Sequence, residues 1–176
     1  MPPPSILVLT GASGAGKTTL VRALAARELP EITCYHFDSV GVPSTAEMTA
    51  KFGSPEGWQV RMTHEWIARL AANGMDGRVA VLEGQVRPSV VRGAFARAGV
   101  RAAQIVLLDC DPDVREERLR GLRQQPDLAS AHMAAWAAYL RGQADALDLP
   151  ILDTTSAPPD VLVDRLLRHV RALTAI

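Results

Sequence analysis

Strand-like apolar runs fall at Ser5–Thr10, Ile32–Phe37, Arg78–Leu82, Ala103–Leu108 and Pro150–Leu152. Where such a run lacks polar alternation, as in Ile6-Leu7-Val8-Leu9, it suits a strand buried on both faces. Between the runs, apolar residues recur at spacings of three and four, the period of a helix with one buried side. The pattern predicts helices at about Lys17–Glu28, Pro55–Asn73, Pro88–Ala98, Pro112–Gln124, Leu128–Leu147 and Pro159–Leu173. Proline at several of these starts fits the first helical position, where no N–H is needed. Asp111 reads as an N-cap, and Asn73-Gly74 and Ala98-Gly99 read as stops. Strands alternating with helices predict an α/β fold, a parallel sheet covered on both faces. Two stretches stand outside this framework: Val40–Gly57, rich in Gly, Pro and Ser, and the polar Gly121–Ser130. Surface excursions of this kind commonly contact substrate and form lids.

The first strand runs directly into Gly11-Ala12-Ser13-Gly14-Ala15-Gly16-Lys17-Thr18, which fits Gly-x-x-x-x-Gly-Lys-Thr, with a helix starting at its end. Strand, glycine loop and helix in that order are the context in which the motif binds a nucleoside triphosphate. Glycines let backbone N–H groups turn inward around anionic oxygens, and the helix N-terminus adds its positive dipole end. Lys17 is expected to reach the β- and γ-phosphates, and the Thr18 hydroxyl to reach Mg²⁺. Lys17 and Lys51 are the only lysines among 19 basic residues, so a compact ammonium stands where phosphate chemistry favours one over the arginine used elsewhere.

At 176 residues and 48% hydrophobic, the chain fits one domain with a full core. The formal net charge is +0 and no basic run occurs, which argues against a long nucleic-acid partner. Cys34 and Cys110 lie in or beside predicted strands without metal-ligand spacing and read as reduced core thiols. The start at Met1-Pro2-Pro3-Pro4 carries no charged leader, and no apolar stretch approaches the ~20 residues of a membrane span. The expectation is a cytoplasmic protein acting on a small molecule.

Further motifs sit where the strands end: His36-Phe37-Asp38, Val81-Leu82-Glu83-Gly84, Leu107-Leu108-Asp109 followed by Glu117-Arg118-Leu119-Arg120, and Leu152-Asp153-Thr154-Thr155. With the Gly11–Thr18 loop, they make nearly the whole chain resemble the small P-loop kinases, a group that includes nucleoside monophosphate kinases, shikimate and gluconate kinases and chloramphenicol phosphotransferase-like enzymes. The resemblance implies a three-layer P-loop NTPase fold with a five-stranded parallel sheet in order 2-3-1-4-5. It also implies one kinase domain over 1–176, with an acceptor-binding excursion at about 40–75 and an arginine-bearing lid at about 120–130. ATP and Mg²⁺ are the implied cofactors.

Residue by residue, the resemblance assigns ATP to Gly11, Ala12, Ser13, Gly14, Ala15, Gly16, Lys17, Thr18 and Thr19, with Arg118 and Thr154 near the adenine. Asp153-Thr154-Thr155 resembles a base-contacting loop and lacks the Asn-Lys-x-Asp that reads guanine. Asp38 stands where related kinases of hydroxyl acceptors place a base. Glu83 stands where they place a carboxylate near Mg²⁺ or the acceptor, with Asp109 competing for that role. Arg61 and Arg87 are the candidates for an anionic group on the acceptor. Arg120 and Arg123 are the lid arginines that would stabilise transferred charge. The lid lacks the cysteines of a zinc-stapled one.

Three functions remain open on these residues. A kinase of small-molecule hydroxyl groups needs Asp38 as a base. A nucleoside monophosphate kinase needs two anion-gripping arginines instead, and a non-catalytic ATP-binding switch needs only the nucleotide site. Acceptor identity and oligomeric state are not written in the motifs.

Overall fold

The computed structural model of the protein describes residues 5–73, 78–121 and 124–174. Its strands are β1 (Ser5–Thr10), β2 (Ile32–His36), β3 (Val79–Glu83), β4 (Ala102–Asp109) and β5 (Ile151–Asp153). Its helices are α1 (Lys17–Ala25), α2 (Thr45–Phe52), α3 (Pro55–Ala72), α4 (Pro88–Ala98), α5 (Pro112–Arg120), α6 (Ala131–Ala146) and α7 (Pro159–Thr174). The strands form one parallel sheet in order β2-β3-β1-β4-β5, as the resemblance implied.

The unbroken apolar strands have the predicted consequence. In β1, Ile6 and Val8 face one layer with Ala80, Leu82, Ile67, Leu70, Val91 and Phe95, while Leu7 and Leu9 face the other with Val81, Leu20, Leu24, Val163 and Leu166. All four β1 side chains are fully buried. Successive side chains of a strand point to opposite faces, so an apolar residue at every position requires helices on both sides. α3 and α4 cover one face, and α1 and α7 the other.

This layering locates the ligand crevice. β1 and β3 are neighbours, yet α1, which follows β1, and α4, which follows β3, lie on opposite faces of the sheet. At such a switch point the connections diverge and leave a cleft beyond the carboxyl ends of the strands. Leu9 is opposite Glu83, and Glu83 is opposite His36, so β1, β3 and β2 end level with one another at that cleft. The Gly84 N–H donates to the Leu9 carbonyl at 3.1 Å, and the Thr10 hydroxyl donates to the Val86 carbonyl at 2.7 Å, fixing the two loops against each other.

Three helix boundaries differ from the sequence reading by more than a residue or two. The helix α1 stops at Ala25 instead of Glu28, because Glu28 adopts a left-handed backbone with φ of 49°. The described part of the predicted Pro112–Gln124 helix ends at Arg120. The predicted Leu128–Leu147 helix begins after Ser130, whose hydroxyl accepts the Met133 N–H. Within the excursion read as loop, Thr45–Phe52 is the helix α2. A capping box starts it, with Ser44 and Glu47 each accepting the other's N–H, and Gly53 in a left-handed conformation ends it. No helix among the described residues is long and apolar enough to cross a membrane.

Candidate active site

The loop between β1 and α1 has the shape its glycines allow. Gly14 and Gly16 have φ of 83° and 96°, which residues with a Cβ rarely adopt, and a Cβ on Gly14 would stand 2.9 Å from Arg115 Cγ. Gly16 caps α1 without a side chain, and the first turn holds no acidic residue. The first N–H groups of a helix have no partner within it, so this turn presents donors and a positive dipole end to an anion. Those features fit a phosphate group.

The rest of the loop is braced. The Lys17 ammonium donates to the Gly11 carbonyl at 2.7 Å and to the Ala12 carbonyl at 3.0 Å, which arches it over the loop; the residue is 8% exposed. Ala12 also accepts the Ala15 N–H, the Ala15 carbonyl accepts the Thr154 hydroxyl at 2.8 Å, and the Ser13 hydroxyl accepts from Gln85 Nε2 at 2.8 Å. Thr18 Oγ1 donates to Glu83 Oε1 at 3.4 Å, and His36 Nδ1 lies 2.8 Å from the same carboxylate oxygen. A hydroxyl and a carboxylate converging next to a phosphate-shaped loop are a donor set suited to a hard cation such as Mg²⁺. Asp109 is held apart from them, 3.4 Å from Arg141 in a shallow pocket with Asp153 and Thr155.

Beside the loop, a cavity of about 250 Å³ is lined by Gly14, Gly16, Thr18, Thr19, Leu20, Arg118, Thr154 and the start of α7. Arg118 ties its walls together, donating to the Thr154 carbonyl at 2.6 Å, the Thr154 hydroxyl at 3.1 Å and the Gly14 carbonyl at 3.4 Å. The two residues assigned to the adenine side are therefore joined in one wall.

On the opposite side of the strand ends, a second cleft of about 320 Å³ is lined by residues that include Asp38, Glu56, Gln59, Gln85 and Arg87, with Phe37, Trp58 and Trp136. Asp38 sits on a turn of 3₁₀ helix, Phe37–Val40, that continues β2. The Trp66 indole donates to the Phe37 carbonyl at 3.1 Å and anchors that turn. Asp38 is solvent-exposed because it lines an open cleft, yet it stands among enough protein that burial, reinforced by the nearby Glu83 charge, raises its pKa above the ordinary 3.8, with Lys17 opposing. Arg87 donates to Gln59 Oε1, lies 3.5 Å from Glu56 and stacks over Trp136 with 4.9 Å to the ring centroid. A chain of contacts runs from Ser13 through Gln85 and Gln59 to Arg87 and so links the two clefts.

The structure thus brings together Lys17, Thr18, Asp38, Glu83 and Arg87, and it joins Arg118 to Thr154. Arg61 does not join them. It pairs with Glu65 at 2.6 Å in a separate groove between α3 and α4, because its place on α3 faces away from the strand ends. Arg120 is exposed on the last turn of α5 and pairs with Glu116 at 2.8 Å, the reach of two residues one helical turn apart. Arg123 lies outside the described residues. Cys34 and Cys110 are free, and burial raises both thiol pKa values, which suits inert core cysteines.

Sequence reasoning missed His36, Gln59 and Gln85. His36 could have been found as the residue paired with Glu83 once the strand order was known, but isolated amides carry no periodic signal. Gly84 has no room for a side chain: a Cβ there would stand 2.6 Å from Phe37 Cβ. Gly84→Ala should therefore displace the turn that carries Asp38. We expect a loss of about 1–3 kcal/mol in urea unfolding, the usual cost of overpacking, together with reduced turnover; unchanged stability would contradict this packing.

The fold, with a glycine loop between the first strand and first helix, is the one found in solved small kinases. No protein-family model and no curated protein sequence matches the chain. Among solved structures it is similar to the shikimate kinase of Acinetobacter baumannii in complex with shikimate (TM-score 0.61, 17% identity, 96% of this chain and 94% of that one). It is also similar to a gluconokinase of Sinorhizobium meliloti 1021 (0.61, 18%, 98% and 94%) and to the tunicamycin resistance protein of Deinococcus radiodurans (0.64, 17%, 95% and 95%).

Proposed function

We propose that the protein is an ATP-dependent phosphotransferase, a kinase that acts on a hydroxyl group of a small molecule. The observation that carries this reading is the placement of Asp38: a carboxylate lines a second cleft across the strand ends from the nucleotide cavity and is close enough to Lys17 and Glu83 to feel their charges. The fold shared with kinases supports it.

In this reading the chain forms one kinase unit. Gly11 to Thr19 cradle the triphosphate, and the Arg118–Thr154 wall receives the adenine. Thr18 and Glu83 would hold Mg²⁺, which supplies charge neutralisation along the phosphates. Asp38 accepts the proton of the acceptor hydroxyl while that oxygen forms its bond to the γ-phosphorus. The bond from that phosphorus to the β–γ bridging oxygen breaks, and ADP leaves with the electron pair. Lys17 stabilises the charge that develops on the transferred group. Arg120 would contribute as a lid arginine only by exchanging Glu116 for phosphate.

The acceptor occupies the cleft between Asp38 and Arg87. The test is ADP release from Mg-ATP, with and without candidate alcohols, alongside equilibrium binding of Mg-ATP and Mg-GTP. Acceptor-dependent release with tighter ATP binding is expected. Tight binding without release for any acceptor would favour the regulatory switch.

A further inference from the structure

Alternation along β2 and β3 brings a histidine to the carboxylate at the end of β3. Ile32 and Cys34 on β2, and Val79 and Val81 on β3, pack in the layer that holds α1. Side chains of a strand alternate between faces, so the next positions in that phase, His36 and Glu83, also point to the α1 side. The two residues are directly opposite in the register. From the first turn of α1, the Thr18 hydroxyl arrives at the same carboxylate. Register and period thus converge three side chains from three elements on one point.

The two donors are unequal. His36 Nδ1 stands 2.8 Å from Glu83 Oε1, and because a carboxylate oxygen only accepts, the ring proton of that contact lies on Nδ1. The Thr18 hydroxyl donates to the same oxygen at 3.4 Å, a long contact that would hold the carboxylate weakly by itself. Among the described residues, both hydrogen bonds to this carboxylate fall on Oε1. A hydroxyl that gives its proton to Oε1 keeps its lone pairs for a cation, and Oε2 stays open beside it. Glu83 is buried, whereas the His36 side chain is 42% exposed, so the ring reaches inward from the rim. A glutamate side chain has rotamer freedom to lose, and the imidazole contact is what restricts it here.

We propose that His36 is a positioning residue for the divalent cation bound with the nucleotide: by donating from Nδ1 to Glu83 Oε1 it fixes the carboxylate beside Thr18, so that Glu83 and Thr18 offer the cation oxygens already held in place. The proposal rests on the kinase reading and deepens it. Partners that hold a metal-linked carboxylate from outside typically account for about 10–100-fold in metal affinity.

Mn²⁺ serves as a paramagnetic probe in place of Mg²⁺, and EPR follows its binding to the whole chain in the presence of the β,γ-imido analogue of ATP. His36→Ala removes the donor, and His36→Asn returns an amide N–H near the place of Nδ1–H. We expect His36→Ala to weaken Mn²⁺ binding about 10–100-fold, His36→Asn to recover most of that loss, and binding of the analogue in EDTA to stay the same in both. In a Glu83→Ala background, His36→Ala should change Mn²⁺ affinity no further, because it acts through Glu83. Thermal unfolding is recorded for every variant. Unchanged Mn²⁺ affinity in folded His36→Ala, an Asn variant as weak as the Ala variant, or a further loss in the Glu83→Ala background overturns the proposal and leaves the kinase reading standing. So does an equal loss of metal-free analogue, or a His36→Ala protein that does not fold, since either makes the contact a structural one. A folded wild type that binds neither the analogue nor Mn²⁺ overturns both.

Discussion

Replacement of Lys17 by Met should lower phosphoryl transfer about 10³-fold or more while leaving the protein folded. The ammonium is the cation placed over the phosphate loop, and donors aimed at charge that develops in a transition state are worth about 10²–10³ each in rate. Lys17 also bonds the Gly11 and Ala12 carbonyls, so its loss removes two braces as well as a charge. Met keeps the length of the stem, and the surrounding loop is held independently by the Thr154 and Gln85 contacts. The check is single-turnover transfer beside a thermal unfolding curve. Near-normal transfer in a folded variant would remove the phosphate loop from the mechanism.

Asp38→Asn should lower kcat by about 10²–10⁴, the range of a positioned general base, with little change in ATP affinity. The shape is preserved, and only proton acceptance is lost. Because burial and Glu83 raise the Asp38 pKa, the wild-type kcat/KM should fall as pH drops through a value above 3.8, and the variant should lack that acid limb. Stability should move the other way. A carboxyl whose pKa is raised on folding binds more protons in the native state than in the unfolded one, so its contribution falls as pH rises through the raised value. At neutral pH, Asp38 therefore strains the fold, and Asp38→Asn should be no less stable than wild type. A variant that is inactive because it is unfolded would contradict this account, as would a nucleotide acceptor whose phosphorylation survives the change.

Much of the architecture was legible because it depends on runs and periods. Unbroken apolar strands required two covering layers, and Gly11–Thr18 placed a phosphate-shaped loop at the end of β1. The ends of β2 and β3 pointed to Asp38 and Glu83, and strand order then set them side by side. What failed depended on context. The capping box Ser44-x-x-Glu47 and the following Gly53 marked α2, yet the Gly, Pro and Ser around them gave the segment the composition of a loop. Arg61 carries the right charge for an acceptor site, but its helical face, fixed by the burial of Trp58, Trp66 and Leu70, points it elsewhere. The choice between Glu83 and Asp109 needed side-chain geometry: Thr18 approaches one, and Arg141 holds the other. The approach of Glu56 to within 3.5 Å of Arg87 could not be read at all, since the two residues lie 31 positions apart with no motif between them.

The proposed reaction is direct transfer of phosphate from ATP to a hydroxyl group held at Asp38. ³¹P NMR of reactions containing Mg-ATP, the protein and each of a panel of small alcohols follows that transfer at the phosphorus itself. The account predicts a new phosphomonoester resonance that grows in step with ADP and is absent with Asp38→Asn. ADP appearing only with inorganic phosphate, or nucleotide bound with no ADP formed across the acceptor panel, would contradict it.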